Sequence, residues 1–437
     1  MAQFGPFPAH PSLEVDDGVL ATAFERLWER LADNYPFGHP HYIGQMLKPP
    51  HPAAVIGYVS AMLINPNNHA LDGGPATARM EREVIARLAS MLGLAQHLGH
   101  LTSSGTIANL EALWVARELH PGAAIAYSAD AHYTHARMCQ VLGVEGVAVA
   151  SDGQGRMDLS DLARALDAHR IGTVVATLGT TGLGAVDPLP GIIELAGAHG
   201  ARVHVDAAYG GFFALIADDS SDGVESAPFA AIAAADSVVI DPHKHGLQPY
   251  GCGAVLFADP GVGRLYSHDS PYTYFTSDEL HLGEISLECS RAGASAAALW
   301  LTTEVLPLTP DGLGRVLRAN RRGAVEWAAL LRDDGGLRLF QDPALDIITL
   351  FPDRPALSAI DSASAELFSA AARGPADEQV HLALYSADAQ AFATRGLAAA
   401  PDAHRARIIR SVLMKPESAE VIPWIHRRLA TLSAAGG

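Results

Sequence analysis

Hydrophobic and polar positions alternate between two periods from about residue 65 onward. Apolar residues spaced three and four apart predict helices over Pro75 to Leu92, Thr106 to Leu119, His135 to Leu142, Leu159 to His169 and Ile192 to His199. Short unbroken apolar runs between them predict buried strands at Ala123 to Ser128, Val147 to Ala150, Thr173 to Leu178, Arg202 to Asp206, Val238 to Asp241 and Ala254 to Phe257. Strands separated by helices imply a mostly parallel sheet covered on both faces, an α/β architecture that binds ligands at the carboxyl ends of its strands.

The two ends of the chain read differently. Before residue 65 a proline-rich lead precedes a helix, Leu20 to Ala32, with Phe24, Leu27, Trp28 and Leu31 on one stripe, and then a loop from Phe37 to Pro50 whose prolines forbid a long regular element. The segment from about 258 to 290 is polar, tyrosine-rich and weakly periodic, and a helix from Ala292 to Leu306 follows. Beyond it come a long helix, Gly312 to Leu331, and a succession of strands (Leu345 to Phe351, Val380 to Ser386, Ala406 to Met414) and helices (Ser362 to Ala372, Glu417 to Leu432) that predicts a small α+β unit. The expected division is an N-terminal segment (1–64), a large domain (65–306) and a small C-terminal domain (307–437).

Composition narrows the class. A formal net charge of −18 disfavours a nucleic-acid or anionic-membrane surface, because phosphates need a basic footprint. No apolar run approaches the ~18 residues of a membrane span, and the first residues lack a signal-peptide pattern, so a cytoplasmic location is expected. Cys139, Cys252 and Cys289 are too few and too scattered for a disulfide framework or a cysteine zinc cage.

The chemistry gathers at predicted strand ends. Only three of the 30 basic residues are lysines: Lys48, Lys244 and Lys415. An amine can deprotonate and attack a carbonyl, which a guanidinium cannot do. Lys244 is the best placed, in Asp241-Pro242-His243-Lys244 after one apolar run and before another. Asp206 ends a second strand beside small residues that let a flat ring approach, as a pyridinium nitrogen's partner would. Its plain alternative is a helix cap. Thr102-Ser103-Ser104-Gly105-Thr106 precedes a helix, so its hydroxyls and free amides suit a phosphate, although such residues also serve as simple caps. His132, after another strand, could stack on an aromatic ring. Phosphate site, ring-facing histidine, acid for a ring nitrogen and Schiff-base lysine together meet the demands of pyridoxal 5'-phosphate.

The same motifs resemble the group II pyridoxal-phosphate-dependent decarboxylases, which include aromatic amino acid, tyrosine, glutamate and histidine decarboxylases. The resemblance runs from about His39 to Trp300 through Thr102 to Leu110, Asp130-Ala131-His132-Tyr133, Gly179-Thr180-Thr181, His204 to Gly211 and Asp241 to Lys244. It implies an aspartate-aminotransferase-like (fold type I) architecture and a homodimer with sites at the subunit interface and the N-terminal segment crossing to the partner. Ser104, Gly105 and Thr106 would hold the phosphate with His243, His132 would stack on the ring, and Thr180 and Ala208 would border it. Asp206 would keep the ring nitrogen protonated and Lys244 would carry the cofactor. Arg291 would sit near the carboxylate end of the substrate, and His39 and Lys48 would approach it from the N-terminal loop. A loop tyrosine, Tyr272 in preference to Tyr274, would return a proton after carbon dioxide leaves.

The implied reaction is decarboxylation of an L-amino acid, with a tyrosine-like substrate in view. Two departures keep an acidic substrate open: His245 stands where the aromatic amino acid decarboxylases have tryptophan, and Gln45-Met46-Leu47-Lys48 stands where they place aromatic residues. Ser290-Arg291-Ala292-Gly293 also resembles the sphingosine-phosphate lyases, which keeps carbon–carbon cleavage open. Twenty histidines, some in close pairs, raise a metal-dependent hydrolase, against which no HExxH-like motif occurs. A non-catalytic binding protein that kept the fold is a further alternative.

Overall fold

The computed structural model describes residues 10–267 and 280–435. Helix α1 (Asp17–Leu31) begins where the Asp16 carboxylate accepts from the amides of Gly18 and Val19, and α2 (Pro52–Met62) begins with a proline, whose missing N–H is not needed at that position. There follow α3 (Pro75–Met91), β1 (Leu98–Thr102), α4 (Gly105–Leu119), β2 (Ala124–Ser128), α5 (Thr134–Leu142), β3 (Gly146–Val149), α6 (Leu159–Ala168) and β4 (Ile171–Thr177). The first sheet is completed through α7 (Leu189–Ala198), β5 (Arg202–Asp206), α8 (Ser226–Ala230), β6 (Ser237–Ile240) and β7 (Gly253–Phe257), after which comes α9 (Gly293–Val305).

This sheet has the order β1-β7-β6-β5-β4-β2-β3, and β7 alone runs against the rest. Strands β4, β6 and β7 are buried at every position, which is why they read as mostly apolar runs. Strand β1 was not legible, because Gly99 and His100 interrupt its apolar pattern. Its histidine is accommodated by a buried contact to Glu111 at 3.0 Å.

The remaining elements are α10 (Gly314–Asp333), β8 (Leu337–Gln341), β9 (Ile347–Pro352), α11 (Leu357–Ala371), β10 (Ala383–Asp388), α12 (Ala389–Thr394), β11 (Arg405–Val412) and α13 (Pro416–Ala435). A second, antiparallel sheet has the order β10-β11-β9-β8. One face packs on the helices through Trp327, Ile348, Leu350, Ile409 and Ile425, while Ile347, Val412 and Met414 join the core of the first sheet. Side chains two apart on a strand share a face, so Arg410 of β11 is turned toward the first sheet.

Among the described residues the apolar stripe of α1 is left uncovered: Phe24, Leu27, Trp28 and Leu31 are all exposed, as are Val55, Ile56, Val59 and Met62 of α2. Among the described residues no helix is long and apolar enough to cross a membrane.

Candidate active site

Five strands end on one edge of the first sheet, and the segments leaving β1, β2, β4, β5 and β6 enclose a cavity of about 240 Å³. Ser104, Gly105, Thr106, His132, Asp206, Ala208, His243 and Lys244 all line it. Residues up to 140 positions apart in the chain meet here because parallel strands bring like ends together.

The lysine loop is tightly held. The Lys244 amide donates to the Asp241 carbonyl at 2.9 Å, and the His243 amide to the Cys252 carbonyl at 3.0 Å. Leu247 has φ +61°, a left-handed conformation that costs a non-glycine residue about 1 kcal/mol or more. The Lys244 amine lies 3.1 Å from Asp241 Oδ2, and the other Asp241 oxygen is buried without a hydrogen-bond partner. Asp241 also explains Gly105: a Cβ there would stand 2.5 Å from the carboxylate. Ser104 caps α4, its hydroxyl accepting from the Ile107 amide at 3.3 Å, so the start of that helix faces the cavity.

At the opposite wall Asp206 ends β5. Its Oδ2 is 2.8 Å from His135 Nε2, and its Oδ1 accepts from the Ala208 amide at 3.1 Å. Burial alone would raise its pKa, but the hydrogen bond and charge of His135, the Lys244 ammonium and the Ala208 amide together hold it well below the usual carboxylate range. An anion is thus secured where a ring nitrogen would need one. Burial lowers the basicity of His132, only partly offset by Asp206, which favours a neutral ring on the cavity wall. Burial likewise depresses His204 to about 3, and it serves as a neutral link between Asn109 and Ser237.

Other expected residues do not converge. Thr180 is fully buried, and its hydroxyl accepts from the Ala185 amide at 3.0 Å; its neighbours Gly179 and Thr181 line the cavity instead. Arg291 is held in a buried pair with Glu81 at 2.5 Å and donates to the Leu101 carbonyl, an architectural role between β1, α3 and the start of α9. His39 is exposed, its ring 4.5 Å from that of His41. The Lys48 amine is buried without a hydrogen-bond partner. Burial foremost, then Lys415, lowers its pKa to about 7 against the opposing pull of Glu417. Its charge in turn helps depress His243 at the cavity wall. Tyr272 and Tyr274 lie outside the described residues.

A larger cavity of about 740 Å³ adjoins the first, sharing His132, Tyr133 and Thr181 and reaching Tyr385 and Arg410 of the second sheet. Arg410 is only 5% exposed, yet its Nε and Nη2 have no hydrogen-bond partner. Neither Arg410 nor His135 was singled out for this site from the sequence. An arginine inside the apolar run Ile408-Ile409-Arg410-Ser411-Val412 was the available signal, as was a histidine one helical turn after His132. Among the described residues no group of three or more metal-ligating side chains is placed to hold a metal ion.

The donor set fits pyridoxal phosphate: an amine for its aldehyde carbon, a secured carboxylate for its ring nitrogen, and a helix start with hydroxyls for its phosphate. Residues 35–349 match the family model for the pyridoxal-dependent decarboxylase conserved domain. The chain belongs to this family. It is a pyridoxal-phosphate-dependent amino-acid decarboxylase, forming an amine and carbon dioxide. It is 29% identical over 328 residues to the L-aspartate decarboxylase of Thermococcus kodakarensis, covering 74% of this chain and 82% of the relative. A probable L-aspartate decarboxylase of Halobacterium salinarum is 32% identical over 295 residues (67% and 78% covered), and the L-tyrosine decarboxylase of Enterococcus faecium is 30% identical over 388 residues (66% and 63% covered).

Among solved structures, mouse CSAD superposes with a TM-score of 0.82 at 23% identity, covering 98% of this chain and 92% of that one. Oryza sativa TDC with PLP and tryptamine gives 0.81 at 17% identity, covering 98% and 91%. These matches correct the expected aspartate-aminotransferase-like (fold type I) label: the chain has the fold of the decarboxylase structures that match it nearly end to end. The label had leaned on motifs at strand ends, which describe a site that many wound sheets can host and not the course of a whole chain.

Proposed function

We propose that this decarboxylase acts on a small acidic amino acid, with L-aspartate the first candidate. The observation that carries the reading is two buried basic groups with unpaired N–H donors, the Nε and Nη2 of Arg410 on the wall of the larger cavity and the Lys48 amine behind His243. Buried charges are expensive unless paired, so two such groups suit a ligand with two carboxylates. L-aspartate decarboxylases among the relatives support the same choice. The second reading, a tyrosine-like substrate, is favoured by the size of the larger cavity and its Tyr133, Phe340 and Tyr385 walls.

When bound, pyridoxal phosphate supplies an aldehyde for amines and a protonated ring that accepts the electrons of the broken Cα–carboxylate bond. The residues of the chain divide the remaining work. Asp206, steered by His135, keeps a proton on the ring nitrogen. Ser104, Gly105, Thr106 and His243 anchor the phosphate, while His132 covers one ring face. Asp241 positions the Lys244 amine. Arg410 takes a substrate carboxylate, Lys48 attracts the second, and Tyr272 returns the proton to the carbon that has lost carbon dioxide. The exposed apolar faces of α1 and α2 support a homodimer in which a second copy covers them. Three free thiols suit a reducing cytoplasm.

Carbon dioxide release should be measured for L-aspartate, L-glutamate, L-tyrosine and the other common amino acids. The reading expects kcat/KM for an acidic amino acid to exceed that for tyrosine by about tenfold or more, and a preference for tyrosine would overturn it.

A further inference from the structure

The residue after the catalytic lysine turns away from the cofactor cavity into a buried polar cluster between the two sheets. His245 is 1% exposed; its Nδ1 lies 2.9 Å from the Tyr209 carbonyl oxygen and its Nε2 2.8 Å from Asp346 Oδ2. The Tyr209 carbonyl can only accept, so Nδ1 donates to it and Nε2 is left facing the Asp346 carboxyl group. The other Asp346 oxygen accepts from the Tyr209 hydroxyl at 2.5 Å. Asp346 is fully buried, and both its oxygens are committed.

Arg410 feels the charge of that carboxylate. It spends one N–H on the Gly44 carbonyl at 3.4 Å, and its Nε and Nη2 have no partner. A guanidinium with free N–H groups near a carboxylate forms a two-pronged pair whenever that carboxylate is available. Arg321 is also under the influence of Asp346, but it donates to the carbonyls of Pro343 and Leu345. Arg321 also feels Asp342, so Asp346 is the carboxylate left within the influence of Arg410.

We propose that His245 and Asp346 form a positioning pair that keeps Arg410 free for the substrate's carboxylate. By holding Asp346 with Tyr209, His245 keeps that carboxylate from competing for Arg410. The pair also ties the lysine loop to the start of β9, so the amine and the carboxylate anchor are set by one cluster. Neither residue touches the substrate. The inference rests on the reading that Arg410 receives a carboxylate, and it adds the reason why Arg410 is available.

The test uses holoenzymes of the wild type, His245→Leu, Asp346→Asn, the double variant and Arg410→Met. Calorimetry reads the affinity for succinate, which has two carboxylates and no amine to react, and steady-state kinetics reads KM and kcat. His245→Leu should weaken succinate binding about tenfold or more, the scale of a charged hydrogen bond, and raise KM more than it lowers kcat. Adding Asp346→Asn should restore affinity by removing the competitor, and Asp346→Asn alone should bind succinate at least as tightly as the wild type. Unchanged affinity in His245→Leu, or a double variant as weak as the single, overturns the pairing. If Arg410→Met binds succinate normally, the reading of Arg410 itself fails. If Arg410→Met loses affinity while His245→Leu does not, only the positioning pair fails. Should His245→Leu not fold, Asp346→Asn decides, because a loss like that of Arg410→Met would make Asp346 a support of Arg410 and not its competitor.

Discussion

Replacing Lys48 by methionine keeps a long apolar stem and removes an amine that is buried without a partner. The amine's pKa falls from 10.5 to about 7 in the folded protein. At about 1.4 kcal/mol for each pH unit, that fall corresponds to roughly 5 kcal/mol of stability. The sign follows from the lowered value: between pH 7 and 10.5 the unfolded chain binds the proton and the folded one does not. Stability from this group is therefore complete above pH 10.5 and is lost as the pH falls through 7. Lys48→Met should be more stable than the wild type, most of all at pH 7 and below, and the gap should narrow by about 1.4 kcal/mol per unit above that. Urea unfolding of both proteins, cofactor-saturated, from pH 6 to 10 measures the gap. The same variant should bind an acidic substrate more weakly, a trade of stability for function. A variant that is less stable at pH 7, or a gap that does not change with pH, would refute the claim that the amine lacks a partner.

Hydride reduction of the holoenzyme should fix the cofactor to Lys244, read by peptide mass; a label on Lys48 or Lys415 would remove Lys244 from its role. His135→Phe keeps a ring behind Asp206 but deletes the 2.8 Å contact, and should weaken cofactor binding about tenfold or more and shift the pH profile of cofactor absorbance. Unchanged dialysis and spectra would reduce His135 to packing. Trp28→Glu on the exposed stripe of α1 should shift the protein toward monomer in sedimentation, and an unchanged mass would leave that face without its proposed cover.

The sheet was legible because strands buried on both faces are mostly apolar, so Thr173 to Leu178 and Ala254 to Phe257 stood out. Where polar groups were buried through specific partners, the pattern failed. His100 paired with Glu111 hid β1, and a helix apolar on most sides between prolines hid α2. Helix α11 starts at Leu357, before the expected Ser362, since Ala356 offers no side-chain cap to mark it. Residues that line the cavity at strand ends, such as Asp206 and Lys244, were readable because acid, glycine and lysine are conspicuous after an apolar run. The pairing of Arg291 was hidden for the opposite reason: its neighbours in sequence resembled a substrate site, while its partner, Glu81, lies on a helix far away in the chain. No local pattern announces such a pairing, and none announced that Asp346 would meet His245.

The scarcity of lysine has a practical side. Of the three amines, Lys415 is buried and donates to the Tyr42 carbonyl, and the Lys48 nitrogen is buried, whereas the Lys244 side chain retains 20% exposure. Reagents that modify lysine on folded proteins, from activated esters to aldehydes, will therefore find one side chain on this surface. It is the one we propose carries the cofactor. Labelling at lysine, read by peptide mass to set aside the chain's α-amine, would report on Lys244 in the cofactor-free protein, and a bound cofactor would protect that side chain.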